Sequence, residues 1–469
     1  MNWKIFAAAF ALAITSSFQS SAQTEWVVGN TTLLEYDLVI DANLPWEILW
    51  GPDDHIWATM RSGKVLRIDP TSGSYTEVLN ISVTGAGSSE PGMLGMAMHP
   101  DWENNPTVFI VYTSGSVGSG SEVLSAWEWD GTSLVNEVQL IDNINLAWIH
   151  NGSRLIITPD DKIMMSTGDT GDNGASSQNM NSLSGKMLRI NLDGTIPADN
   201  PDPSSYVWSF GHRNSQGLCV GPNDIIYSSE HGQSNSDEFN IIEPNRNYGW
   251  PNVQGACNTG AEMAYCADND VMEPLMEWSP CPAVNGIEYY NHVAIPEWQN
   301  SVLMSVLGGL GGQYERLSVL HMSADGTEIE SEDQFFSSFN QRIRDICVNP
   351  TTGAVYVAFN GTSYPGSGPN IIKEFVNQDY VTSLGEELSI PEQTIQVYPN
   401  PVDSDATIEF SDAFNGVSYE IHSYDGKIVH KEILDGSKVT ISSDDFASGQ
   451  YFVKATSHLG TVTRSFIVK

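Results

Sequence analysis

Ile149-His150-Asn151-Gly152 stands just before an apolar strand pair centred on Pro159, and Thr167-Gly168-Asp169 stands just after it. A hairpin returns its second strand beside the start of its first, so His150 and Asp169 are expected to be neighbours. A carboxylate on an imidazole fixes the tautomer and raises basicity, which is what a general base needs. The same pair also serves as a plain structural hydrogen bond. Arginines are informative here because basic residues are scarce: Lys plus Arg is 20 against 58 for Asp plus Glu, a formal net charge of -38. Arg213 follows an aromatic strand in His212-Arg213-Asn214, and Gln341-Arg342-Ile343-Arg344-Asp345 carries two more arginines. Alternation along a strand puts Arg342 and Arg344 on one face. Like charges there need a bound anion, or internal salt bridges to Asp345 and other acids. Glu230-His231-Gly232-Gln233-Ser234-Asn235-Ser236-Asp237-Glu238 is rich in oxygen ligands and small residues, as calcium loops are, without the spacing of an EF-hand.

These residues all lie at the ends of a recurring unit. An apolar strand runs into a Pro-centred polar turn, and a second apolar strand follows. Ile48 to Trp57, Leu155 to Met164, Cys219 to Tyr227 and Ile346 to Tyr356 are copies, with looser ones at Met96 to Tyr112 and Gly286 to Leu307. About six units of ~60 residues, with several strands each and no amphipathic helix, point to propeller blades. The expected fold is all-β: a six-bladed β-propeller over residues 23–380, then a small β-sandwich. In a propeller the loops of one rim converge on the central channel, where distant polar groups can meet.

The ends read differently. Lys4, the apolar run Ile5 to Ile14 and the small residues Ser20-Ser21-Ala22 form a signal peptide over residues 1–22. No later stretch has the ~18 apolar residues of a membrane span, so a secreted or cell-surface product without a transmembrane segment is expected. Residues 381–393 are a polar linker. From 394 to 469 short alternating runs are separated by turns such as Asp425-Gly426 and Asp435-Gly436. Three of the five cysteines (Cys257, Cys266 and Cys281) share one loop-like segment, where export favours a disulfide whose pairing stays open. The acidic charge excludes nucleic acid as a partner.

Read in order, Glu90-Pro91-Gly92-Met93-Leu94-Gly95, His150 to Leu155, Phe210-Gly211-His212-Arg213-Asn214, Ser229-Glu230-His231-Gly232, Asn247-Tyr248-Gly249-Trp250-Pro251 and Arg342-Ile343-Arg344-Asp345 resemble the glucose/sorbosone dehydrogenase family. These are soluble sugar dehydrogenases that use pyrroloquinoline quinone (PQQ). The resemblance implies a six-bladed propeller. His150 would take the hydroxyl proton at the anomeric carbon of an aldose while hydride passes to the quinone, giving a lactone. Asp169 would orient His150, and Arg213 would bind a quinone carbonyl. Glu90, Asn214, Arg342 and Arg344 would hold the cofactor, whose three carboxylates suit paired arginines. The carbonyls of Gly232 and Gln233 would bind a calcium ion, and Glu238 with Tyr248 a second one. The chain departs from the family in having Gln233 where proline is frequent, and Gly308-Gly309-Leu310-Gly311-Gly312 where glucose-oxidising members place a lysine. Two other readings remain beside this one: a non-redox propeller that binds glycans or a partner, and a calcium-dependent lactonase. The Tyr398-Pro399-Asn400-Pro401 opening, the Gly449-Gln450-Tyr451 strand entry and the closing Ser465 to Lys469 resemble the C-terminal sorting domain of type IX secretion. That implies passage through the periplasm and handling by the type IX secretion machinery. An external electron acceptor is a further implied partner.

Overall fold

The repeated strand–turn–strand unit of the sequence is the inner hairpin of each sheet. The computed structural model describes residues 24–39, 42–85, 89–309, 314–381, 395–410, 418–424, 426–433, 437–457 and 460–469. The expected signal peptide, and the expected linker except Val381, lie outside the described residues. Pro45–Trp50 pairs with Ile56–Met60, Met93–Met98 with Thr107–Ser114, and Gly152–Ile157 with Lys162–Thr167. Ser215–Val220 pairs with Ile226–Glu230, Val284–Tyr290 with Ser301–Val306, and Ile343–Val348 with Val355–Phe359.

Each hairpin is extended outward into its own antiparallel sheet of four strands, or five in the last. The first strand of each sheet packs beside the first strand of the next, and Ile343–Val348 packs against Pro45–Trp50. The sheets therefore form a closed ring, the arrangement of a propeller. The N-terminal strand Thr31–Val39 pairs with Ile372–Val376, so both ends of the ring share one sheet.

Hydrophobicity follows distance from the ring's centre. Met93–Met98 and Ser215–Val220 are buried along nearly their whole length, whereas Ile329–Phe335 is largely exposed. Apolar layers fill the gaps between sheets: Phe109 and Val111 of one sheet meet Leu155, Met165 and Leu188 of the next. Each such side chain contributes roughly 1.5–3 kcal/mol when fully buried. Where two inner strands touch, a side chain does not fit. A Cβ on Gly95 would lie 1.9 Å from the carbonyl oxygen of Ser153.

One feature differs from expectation. The segment after Pro251 contains an α-helix, Gly260–Asn269, although no amphipathic helix was expected between the strands. Thr259 caps it in a capping box with Glu262, and Cys257 is bonded to Cys266 across its first turns. The helix buries no residue, so apolar periodicity could not announce it; the Thr-x-x-Glu spacing carries the signal. Cys281 stays free, as do the buried Cys219 and Cys347.

The chain divides after Asn377 into two compact units. In the second, Ile395–Tyr398, Asp405–Phe410 and Lys438–Ser442 form one sheet, and Ile428–Ile433, Ser418–Ser423, Gly449–Ser457 and Gly460–Val468 form another. Ile408 and Phe410 of the first share a core with Tyr419, Ile421, Val453 and Phe466 of the second. Among the described residues no helix is long and apolar enough to cross a membrane.

Candidate active site

The turn before Gly152–Ile157 and the end of Lys162–Thr167 bring His150 and Asp169 together, as the hairpin geometry requires. His150 adopts a left-handed backbone, φ 58°. A Cβ on Gly168 would lie 1.9 Å from the carbonyl oxygen of His150, so only glycine lets the returning strand end come this close. His150 Nδ1 meets Asp169 Oδ1 at 2.6 Å, and the same oxygen accepts the Gly171 N–H at 2.8 Å. Oδ2 accepts the indole N–H of Trp250 at 2.8 Å. Burial pushes the Asp169 carboxyl up, but the bonds and charge of His150 and the two N–H donors outweigh it and hold the group below its ordinary value. On the other side of the imidazole, Arg213 Nη2 lies 3.1 Å from Nε2. A guanidinium only donates, so Nε2 presents its lone pair and the ring proton resides on Nδ1. Glu90 accepts the backbone N–H of His150 and fixes the turn.

His150 opens into a cavity of about 610 Å³ at one end of the ring. Arg61, Arg213, Arg342 and Arg344 line it. Arg344 donates to the Trp46 carbonyl at 3.2 Å and to Gln216 Oε1 at 3.1 Å, and its guanidinium stacks 4.3 Å from the Trp46 ring. Arg342 donates to the Leu307 carbonyl at 3.3 Å. Among the described residues, none of these four guanidiniums lies within 4.0 Å of a carboxylate. The salt-bridge alternative for Arg342 and Arg344 is thus not realised. Asp345 instead pairs with Arg154 at 3.0 Å and accepts the Ile48 N–H at 2.7 Å. Burial lowers the proton affinity of Arg61, Arg342 and Arg344, and in Arg344 the charge of Arg154 adds to it. In a chain with nearly three acids per base, so many unpaired cations around one cavity mark an anion site. Buried Nε atoms of Arg213 and Arg342 have no partner among the described residues, which fits a polycarboxylate cofactor.

Gly232 and Gln233 also line this cavity. A Cβ on Gly232 would lie 2.1 Å from the Asn235 carbonyl oxygen, so the tight loop demands glycine. The loop is anchored by Asp237, whose carboxylate accepts from the N–H groups of Gly232, Ala283 and Val284. Among the described residues no three His, Cys, Asp or Glu side chains converge as a metal cage. A cation beside Gly232 and Gln233 would need backbone carbonyl oxygens among its ligands. Glu238 and Tyr248 lie elsewhere, beside Glu230 and a small void. Burial and the Glu230 charge push Glu238 up to about 8. Asn240 donates to Glu238 at 3.0 Å, while its own buried Oδ1 has no partner. That oxygen-rich corner fits a cation. The Tyr248 hydroxyl is committed to the Ile241 carbonyl and the Glu243 N–H, which leaves only its backbone carbonyl as a ligand.

Residues 42–365 match the profile of the glucose/sorbosone dehydrogenases. The chain belongs to this family. An uncharacterized protein of Synechocystis is 33% identical over 73% of this chain and 88% of its own length. Quinoprotein glucose dehydrogenase B of Acinetobacter calcoaceticus is 36% identical over 46% of this chain and 52% of its own length. The PQQ-bound aldose sugar dehydrogenase of Streptomyces coelicolor superposes with a TM-score of 0.62 at 28% identity, over 76% of this chain and 98% of that one. Residues 396–469 match the secretion system C-terminal sorting domain, which marks the chain for export to the cell surface or beyond.

Within the glucose/sorbosone dehydrogenase unit, Glu90, His150, Arg213, Asn214, Gly232, Gln233, Arg342 and Arg344 all line one cavity. Asp169 stands behind His150, and Glu238 and Tyr248 stand apart. Simple alternation explains Arg342 and Arg344 incompletely. Arg342 precedes its strand and the register slips between Ile343 and Asp345, yet both guanidiniums reach the cavity. Sequence reasoning missed Arg61, and it gave no role to Trp46 or to Trp250 as a donor to Asp169, nor to Asp237 as the anchor of its loop. Arg61 was hidden in a turn-like Arg61-Ser62-Gly63, although the scarcity of arginine was a usable signal.

Proposed function

We propose that this protein is a PQQ- and calcium-dependent aldose dehydrogenase that oxidises the anomeric carbon to the lactone. In this reading residues 23–380 are a six-bladed propeller. Residues 1–22 are a signal peptide, 381–393 a linker, and 394–469 a small β-sandwich that takes the protein through the periplasm to the type IX secretion machinery. The observation that carries the reading is a histidine whose Nε2 lone pair faces the cavity and, among the described residues, accepts only from Arg213, backed by a buried carboxylate, at a cavity walled by guanidiniums without ion pairs.

Bound PQQ supplies an ortho-quinone that takes two electrons and the hydrogen of the anomeric carbon. His150 Nε2 takes the hydroxyl proton of the sugar, and Asp169 stabilises the imidazolium that forms. Arg213 turns its guanidinium from Nε2 toward the oxygen that gains negative charge. Asn214, Arg342 and Arg344 hold the cofactor from the cavity wall, and Glu90 holds both the wall and the His150 backbone. The carbonyls of Gly232 and Gln233 hold one calcium ion beside the cofactor. Glu238, with the Tyr248 carbonyl, holds a second, structural ion. An external acceptor removes the electrons.

Titration of the full chain with PQQ and calcium, followed by dye reduction with a panel of aldoses, tests this. Tight uptake with turnover that His150→Ala abolishes is expected. No uptake at micromolar PQQ by folded, calcium-loaded protein would overturn the reading in favour of a propeller that binds without redox turnover.

A further inference from the structure

Arg61 follows the strand Ile56–Met60 and lines the same cavity as the residues assigned above. It is 5% exposed. Its Nη1 donates to the Pro365 carbonyl at 3.4 Å, while its Nε and Nη2 are buried and have no partner among the described residues. Those two N–H groups are the parallel pair along one edge of the planar guanidinium. They are spaced to meet both oxygens of a single carboxylate. Among the described residues no carboxylate takes that edge. Glu90 is within electrostatic reach of Arg61, but its Oε2 accepts the His150 N–H. Tyr364 and Arg342 also face Arg61, and Arg342 repels it. Arg342 lies over the ring of Tyr364, centroid 5.8 Å away, so the two guanidiniums share one corner of the cavity next to Tyr364 and Pro365. A buried cation with an unused fork costs stability by itself, because burial strips its hydration. Its presence is explained by an anion that accepts the fork.

We propose that the Nε–Nη2 edge of Arg61 binds one carboxylate of the cofactor in bidentate fashion. This rests on the PQQ reading above and adds a binding residue to it. The Pro365 contact ties down Nη1 and leaves the Nε–Nη2 edge unused, a planar pair that lysine does not reproduce.

The test compares wild type, Arg61→Met, Arg61→Gln and Arg61→Lys as full chains. Affinity for PQQ and for its uncharged trimethyl ester is read by quenching of protein fluorescence. Thermal unfolding is followed without any ligand. Arg61→Met is expected to bind PQQ about ten- to a hundredfold more weakly, the range for losing a charged hydrogen-bonded pair, and the ester almost as well as wild type does. Its ligand-free melting temperature should equal or exceed that of wild type. Arg61→Lys should fall between. Wild-type affinity for PQQ in Arg61→Met, an equal loss for acid and ester, or a lower ligand-free melting temperature would overturn the proposal and leave the PQQ reading standing. If wild type takes up neither compound, the PQQ reading falls and this one falls with it. Should Arg61→Met not fold, the Gln and Lys variants carry the same comparison.

Discussion

Replacing Asp169 by asparagine isolates the charge behind His150 from the hydrogen bond it makes. The carboxylate accepts three donors: His150 Nδ1 and Gly171 N–H on Oδ1, and Trp250 Nε1 on Oδ2. An asparagine has one acceptor oxygen and one NH₂ group. With its oxygen at the Oδ1 position it keeps two donors and opposes only Trp250. The reverse orientation opposes Gly171 and forces the His150 tautomer to flip. The first orientation is favoured, so Nε2 keeps its lone pair and the variant loses only the negative charge. Unit charges about 4 Å apart at an effective dielectric of ~20 attract by roughly 4 kcal/mol. The imidazolium charge is incomplete in the transition state, which leaves about 3 kcal/mol, or roughly a hundredfold in kcat. The assay is dye reduction by protein saturated with PQQ and calcium, with PQQ affinity measured alongside. The expected pattern is a kcat loss near a hundredfold with PQQ affinity within about threefold, since Asp169 does not line the cavity. Adding Trp250→Phe removes the opposed N–H and should return about 1 kcal/mol or more of the stability lost in Asp169→Asn. A kcat loss below tenfold, or a double variant no more stable than the single one, would refute the reasoning.

At the ring's centre Arg154, 3% exposed, bridges Glu47 at 3.2 Å and Asp345 at 3.0 Å and donates to the Gln216 carbonyl. Arg154→Met leaves two buried carboxylates unpaired and should cost about 3–5 kcal/mol in denaturant unfolding. Burial pushes Glu47 up to about 8; the Arg154 charge opposes this and Asp345 adds to it. A carboxyl raised on folding contributes stability at low pH that is lost as pH rises, here from the ordinary carboxylate range through about 8. The melting temperature should therefore decline across that window, and Glu47→Gln should flatten the decline. Residues 24–380 without the C-terminal unit should melt within a few degrees of the corresponding transition in the full chain, because each unit has its own core; a collapsed transition in the truncated chain would show otherwise.

Much of the fold was legible because a propeller repeats itself. Each inner hairpin carries the same apolar–Pro turn–apolar pattern, and inner strands are buried on both faces, so they read as near-continuous apolar runs. Outer strands such as Ile329–Phe335 lack that pressure and were not marked in the sequence. The helix Gly260–Asn269 escaped for the opposite reason, since it has no buried face to impose a period.

The amino-acid sequence determined which residues could be chemically active. Hairpin return placed His150 near Asp169, and the shortage of basic residues singled out Arg213, Arg342 and Arg344. Local spacing is enough for such pairs because they are joined by a few residues of known geometry. Only the tertiary structure decided what those arginines do. Asp345, adjacent to Arg344 in sequence, turns to Arg154 across the channel, almost 200 residues away in the chain. That choice leaves Arg342 and Arg344 without carboxylates, and closure of the ring gathers them with Arg61 and Arg213 around one cavity. Ring closure fixes these neighbours, and no stretch of sequence contains them.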